Sequence, residues 1–213
     1  MLLWGEIMRS VKLISLFLLL LSSQSSLAQA WVEYVDEAER FIVNFPGEPV
    51  VEEIGYLTQS GATMPGRVYT VENPPSRYVV TVVNYTEAER NLEEHCAQRT
   101  DGEACDGNEA GTDVRGAVPF AAWNIRRQGG ELIYDAYHEI DGIQGLQLQV
   151  IEADNSQSFA GIYMHARRLY ILEGNVPGDF PPPLLFQQSL GILDEDGEPV
   201  SFRYDENDNP VPE

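Results

Sequence analysis

Lysine occurs once in this 213-residue chain, at Lys12, and histidine only three times. Lys and Arg number 13 against 34 Asp and Glu, a formal net charge of −21. A field of that sign repels nucleic acid and anionic lipid headgroups, so nucleic-acid binding is excluded as a role. The chain contains no G-x-S-x-G elbow, no H-E-x-x-H, no Gly-rich phosphate loop and no dinucleotide fingerprint. It has no internal repeat and no interdomain linker. No segment after residue 30 is apolar enough to span a bilayer. Its 43% hydrophobic and 10% aromatic content excludes a wholly disordered chain, a collagen-like fibre and a multi-span membrane protein.

The N-terminus carries an address. Met8 to Lys12 (M-R-S-V-K) is a short basic stretch, Leu13 to Leu21 is apolar, and Ala28-Gln29-Ala30 has the small-x-small form of a cleavage site. Residues 1–30 are expected to be a Sec-type signal peptide cut after Ala30. Met8 is the better start, because Met1 to Ile7 adds only the acidic Glu6. The apolar run is about half the ~20 residues of a spanning helix, which argues against a retained anchor. With no Cys at the cut, a bacterial lipid anchor is not expected. The processed chain is expected to be periplasmic or secreted, without stable membrane insertion. Cleavage leaves 33 acidic and 11 basic residues, every basic one an arginine. The excess negative charge suits attraction for cations or a basic partner; solubility is the simpler reading.

The rest of the chain divides into 31–204, expected to be one globular domain, and 205–213, an acidic tail expected to be disordered. Phe41 to Phe45 alternates like a half-buried strand and is ended by Pro46-Gly47-Glu48-Pro49. Val50 to Thr58 and Arg67 to Val71 are further strands. Tyr78 to Tyr85 (Y-V-V-T-V-V-N-Y) is apolar on nearly both parities, so it predicts a strand covered on both faces. The covers are helices on both sides, or a helix on one and a hairpin on the other. Thr86-Glu87-Ala88-Glu89 reads as a capping box for a helix running to about Arg99, with Ala88, Leu92 and Cys96 on its buried stripe. Asp101 to Asp113 reads as an acidic loop. Ala121 to Gln128 and Glu131 to Ile140 flank Gly129-Gly130 and predict a hairpin. Ile143 to Glu152 is a one-face strand. Ser158 to Leu172 is too long for one strand and is expected to bend near Arg167-Arg168. Asp179-Phe180-Pro181 predicts a second helix with Leu184, Leu185, Gln188 and Ile192 on one stripe, before a last strand at Val200 to Tyr204.

This order, with F-I-V-N-F-P-G-E-P at Phe41 to Pro49, resembles exported bacterial domains of the PsbP-like and DcrB-like type. Gly161 to Leu172 (G-I-Y-M-H-A-R-R-L-Y-I-L) and Phe186 to Leu190 (F-Q-Q-S-L) look like the closing sheet-and-helix half. The resemblance covers most of 33–204. It implies an α+β domain, mainly antiparallel sheet sandwiched by two or more helices. No catalytic residue travels with it, and its members are mostly accessory or assembly factors.

Several constellations bear on chemistry. Cys96 and Cys105 form an even, close pair, which in an exported chain suggests a disulfide worth about 2.5–3 kcal/mol on the chain-entropy account. The alternative, a metal site from His95, Cys96, Cys105 and Asp106, matches no standard zinc spacing. His138 falls in phase with Ala136 and Ile140, and His165 lies beside Met164; each reads as structural, though the two could meet across strands as a weak metal or base pair with a carboxylate. Asp194 to Glu198 and Asp205 to Asn209 both depart from the EF-hand pattern. The 101–113 loop is a candidate weak divalent-cation binder. Arg126-Arg127 and Arg167-Arg168 are candidate contacts for an anion or partner, or else internal ion pairs. No catalytic residue, resident metal or cofactor is assigned. The expectation is an exported, non-catalytic accessory or binding module whose partner is an envelope protein or a small ligand. A hydrolase-like enzyme using His138 and His165 is the alternative from another class.

Overall fold

Apolar runs of both kinds, alternating and continuous, are taken up by one large sheet. The computed structural model describes residues 31–99, 108–204 and 210–212, all in one compact unit spanning Trp31–Glu213. Its centre is a seven-stranded antiparallel sheet built from β3 (Val50–Leu57), β4 (Thr63–Asn73), β5 (Ser76–Asn84), β6 (Glu131–Ile140), β7 (Ile143–Ile151), β8 (Gln157–His165) and β9 (Arg168–Val176), in the order β3-β4-β5-β9-β8-β7-β6. The doubly apolar run predicted at 78–85 forms β5, inside the sheet and buried on both faces. β3 and β6 are the two edges.

The register sorts side chains into two cores. Gly145, Tyr163, Tyr170 and Val82 face one another across β7, β8, β9 and β5, and their face buries an aromatic core. There Tyr69, Tyr78 and Tyr170 meet Phe41, Phe45 and Phe186. The cover on that side is a three-stranded sheet, β1 (Val32–Asp36), β2 (Phe41–Phe45) and β10 (Gly191–Ile192), in the order β1-β2-β10, with the four-residue helix α3 (Leu184–Gln187). Leu146, Ile162 and Ile171, one residue out of phase, point to the opposite face. That face is aliphatic and is covered by α1 (Ala88–Gln98) and α2 (Glu109–Arg126). The α+β class and the covered antiparallel sheet are therefore as expected. The second cover is mostly a strand layer, since a hairpin shields an apolar face as well as a helix does.

Several local expectations need correction. The stretch 121–128 is not a strand but the end of α2, and α2 begins inside the predicted 101–113 loop. Ala110, Ala117, Ala121 and Ile125 recur at helical spacing and all are buried, so the segment covers the sheet as a helix. Gly129 and Gly130, with φ of 104° and 85°, end this helix instead of turning a hairpin. The real two-residue hairpin turn in this region is Asp141-Gly142, both at positive φ, between β6 and β7. The capping box does not form: Glu87 is the N-cap without a side-chain bond, and Glu89 is drawn to Arg167 at 2.6 Å. The second helix shrinks to α3, with Leu184 and Leu185 exposed, Phe186 buried and Ile192 moved into β10. Three consecutive prolines, 181–183, precede it and cannot supply the early N–H groups of a longer helix. The bend near Arg167-Arg168 is a two-residue turn at Ala166-Arg167, φ 43° and 62°, between β8 and β9. Beyond 204, β11 (Phe202–Tyr204) pairs with β12 (Pro210–Pro212), so part of the segment predicted as a disordered tail lies in a strand. Among the described residues no helix is long and apolar enough to cross a membrane. The leader 1–30, Cys105 and most of the acidic loop lie outside the described residues.

Candidate functional site

The histidines do not converge. The Tyr163 hydroxyl lies 2.8 Å from His138 Nδ1, and burial pushes the Tyr163 phenol up to about 12, so it stays protonated at neutral pH. His165 ends β8, in register with Arg168 two residues beyond Tyr163, and lies edge-on to Phe202 at 6.3 Å. Burial, then the Arg40 charge, lowers its pKa. A cavity of about 420 Å³ beside β6 is lined by His138 with Tyr137, Glu139 and Gln144, and His165 is not part of it. No group of three or more His, Cys, Asp or Glu gathers in a metal-binding arrangement among the described residues.

The two arginine pairs go to different places. Arg126 Nε and Nη2 donate to Asp135 at 2.9 and 2.8 Å, and the Arg127 guanidinium lies 4.1 Å from the centre of the Trp123 ring. Arg167 donates to the Tyr85 carbonyl at 3.0 Å and to Glu89. Arg168 reaches Glu39 at 3.7 Å and the Ala38 carbonyl at 3.3 Å. The contacts of one pair share no residue with those of the other. Cys96 sits half-buried on α1, on the stripe of Ala88 and Leu92.

An opening of about 660 Å³ forms a cleft between α2 and the β6–β7 end of the sheet. Its origin is a mismatch of widths. An α-helix with its side chains is ~10 Å across and strands are ~4.8 Å apart. α2 packs on β7, β8 and β9, and β6 projects past it. Val118 and Pro119 of α2 and Leu146 of β7 make apolar walls. The Arg126–Asp135 fork closes one end by tying the last turn of α2 to β6. Arg115, three turns earlier on the same side of the helix, stands at the other. Tyr137 forms the rim and is 91% exposed. Leu132, Ile133 and Tyr134 of β6 and Trp123 of α2 are also exposed. Because β6 is an edge, half of its backbone donors and acceptors have no strand partner in the sheet. Sequence reasoning missed this cleft because it took 121–128 for a strand. The signal was there in Arg115, Pro119, Ala122 and Arg126, spaced to lie along one helical side.

A second polar cluster, also unforeseen, joins the two sheets. The Tyr69 hydroxyl donates to Asp36 at 2.7 Å, and Tyr170 donates to the carbonyls of Glu39 and Arg40 at 3.0 and 3.2 Å. Arg67 lies between Asp36 and Glu39, at 4.0 and 3.5 Å. Desolvation raises the Glu39 pKa, and Arg67 and Arg168 oppose the shift. These bonds clamp the β1–β2 turn to the main sheet.

No family model and no curated protein matches the chain. Among solved structures it is similar to cyanobacterial PsbP from Synechocystis sp. PCC 6803, with 14% identity and a TM-score of 0.44 over 80% of this chain and 97% of that one. The PsbP-like resemblance is thus present and loose.

Proposed function

We propose that this chain is an exported accessory module that works by binding and not by turnover, with the α2–β6 cleft and its rim as the binding surface. The observation that carries the reading is the exposure of Tyr137 on the rim of this cleft, on an edge strand that also exposes Leu132, Ile133 and Tyr134. An exposed apolar side chain is ordinary by itself; on the rim of a cavity and on an unpaired strand edge it marks a contact surface. The leader Met8–Ala30 supports export to the periplasm or beyond, and Cys96 with Cys105 supports a disulfide in that oxidising space. The occupant of the cleft is a small ligand or a segment of an envelope protein.

The test places a photo-crosslinking residue at Tyr137 and, as control, at Val50 on the opposite edge. Crosslinks to an envelope component from position 137 alone are expected. Equal yields from both positions would overturn the assignment of the surface. Mass spectrometry of the processed chain should find Trp31 at the N-terminus, and thiol titration should find no reactive thiol. An intact Met8, or two free thiols, would remove the export and disulfide readings respectively.

A further inference from the structure

We infer that the cleft takes an organic anion with an apolar body, its charged group held by Arg115. This rests on the reading of the cleft as the binding surface and adds the chemistry of the occupant. The reason lies in how this chain uses its arginines. In a chain with 34 acidic residues against 13 basic ones, a guanidinium finds a carboxylate easily. Arg40, Arg77, Arg126 and Arg167 each have one within 3.1 Å. Arg67, Arg90 and Arg168 have theirs within 4.0 Å, and Arg127 covers Trp123. Arg115 makes no ion pair or hydrogen bond with any described residue, and it lines the cleft. Its guanidinium lies back along α2, and a Cβ at Gly111 would stand 3.2 Å from Nη1. The absent side chain at 111 therefore leaves the group room against the helix.

The remaining walls define the rest of the ligand. Arg126 is already neutralised by Asp135, so the far end of the cleft offers no second unpaired cation among the described residues. From Arg115 to Arg126 is eleven residues of helix, about 16 Å at 1.5 Å per residue. Between them lie Val118, Pro119 and Leu146, with Gln144 as a polar wall residue and Tyr137 at the rim. A cation at one end of an apolar trough of about 16 Å matches an amphiphile with a single anionic head. A guanidinium accepts carboxylate and phosphate oxygens alike, through paired N–H donors.

Titration calorimetry of the processed chain with decanoate, decyl phosphate and decyltrimethylammonium, each below its micellar concentration, tests the inference. Both anions are expected to saturate one site at least tenfold more tightly than the cation, and the tighter of the two identifies the head group. Arg115→Gln should abolish that discrimination, a loss of tenfold or about 1.4 kcal/mol. Tyr137→Ala should weaken all three ligands. Circular dichroism of both variants should match that of the parent. If the cation binds as tightly as the anions, or Arg115→Gln leaves the preference intact, the anionic ligand is overturned while the cleft remains the binding surface. If none of the three binds, the anionic amphiphile is overturned as well, and the crosslinking from position 137 decides the surface alone.

Discussion

At the scale of single residues, the informative groups are polar ones inside an otherwise aromatic or aliphatic setting. Tyr69 is fully buried, and its hydroxyl donates to Asp36 at 2.7 Å. Burial and that bond raise the Tyr69 pKa far out of the working range. Hydrogen bonds to charged groups contribute roughly 1.5–3 kcal/mol, about twice a neutral pair. Tyr69→Phe keeps the ring and removes the donor, so it should lower the unfolding free energy by about that amount in urea titration. A change within error would mean that Arg67 or water replaces the donor. Glu173 on β9 makes a different prediction. Desolvation raises its pKa above the ordinary 4.5, Arg77 opposes the shift and Glu152 adds to it. The folded state thus holds its proton more tightly than the unfolded state, and the stability this residue confers is greatest below pH 4.5 and declines as pH rises through the raised value. Glu173→Gln, which mimics the protonated form, should stabilise at pH 7 and converge with the parent below pH 4.5. A Glu173→Gln variant less stable than the parent at neutral pH would show that the carboxylate is stabilised where it stands. Glu89, whose pKa is lowered by Arg167, has the opposite sign. Its contribution is present at neutral pH and fades as pH falls, and because the pair is exposed it is small.

At the scale of elements, α2 decides most of what is distinctive here. Its inward face is Ala110, Asp113, Ala117, Ala121, Ala122 and Ile125, every one buried. Small side chains let the helix axis approach the sheet closely. Asp113 is satisfied by the Ser60 hydroxyl and by the Ser60 backbone N–H at 3.1 Å, which holds the β3–β4 loop against the helix. Ala117→Leu should therefore overpack the layer and cost about 1–3 kcal/mol in denaturant unfolding. Full retention of stability would show that the helix can lift from the sheet at little cost. The same composition explains why the helix was hard to read. A stripe of alanines with one aspartate carries little hydrophobic contrast, and Gly116 and Pro119 interrupt it with residues that disfavour a helix interior. Strands carried by bulky β-branched and aromatic residues, β2, β5 and β7, were legible because their side chains cannot change faces without changing register. The hairpin at Asp141-Gly142 carried a strong turn signal, which the neighbouring Gly129-Gly130 masked. The α1 stripe was legible for the same reason as β7: Ala88, Leu92 and Cys96 repeat every fourth residue. Its start was not, because Arg167, 78 residues away, draws Glu89 off the cap, and no local pattern contains that partner.

At the scale of the whole molecule, charge is the dominant surface property. A small domain is usually soluble with a net charge of about 2–8, and this chain carries −21. Thirteen basic side chains cannot neutralise 34 acidic ones, which leaves an excess of 21 carboxylates. Two effects of salt then oppose each other. Exposed pairs such as Arg77–Glu72 and Arg90–Glu94 weaken as ions screen them, but each is worth only about 0–1 kcal/mol. Repulsion among the excess carboxylates is also screened, and it involves more groups acting over longer distances. The Debye length falls from about 30 Å at 0.01 M to about 8 Å at 0.15 M, comparable to moving from the width of the domain to the spacing of neighbouring side chains. Repulsion therefore loses more than attraction does. The urea midpoint should rise between about 0.01 and 0.15 M sodium chloride and level off above it, with an unchanged slope of free energy against urea. A midpoint that falls over the same interval would mean that the arginine network, from Arg67 and Arg168 at the clamp to Arg126 on α2, outweighs the excess negative charge in holding the layers together.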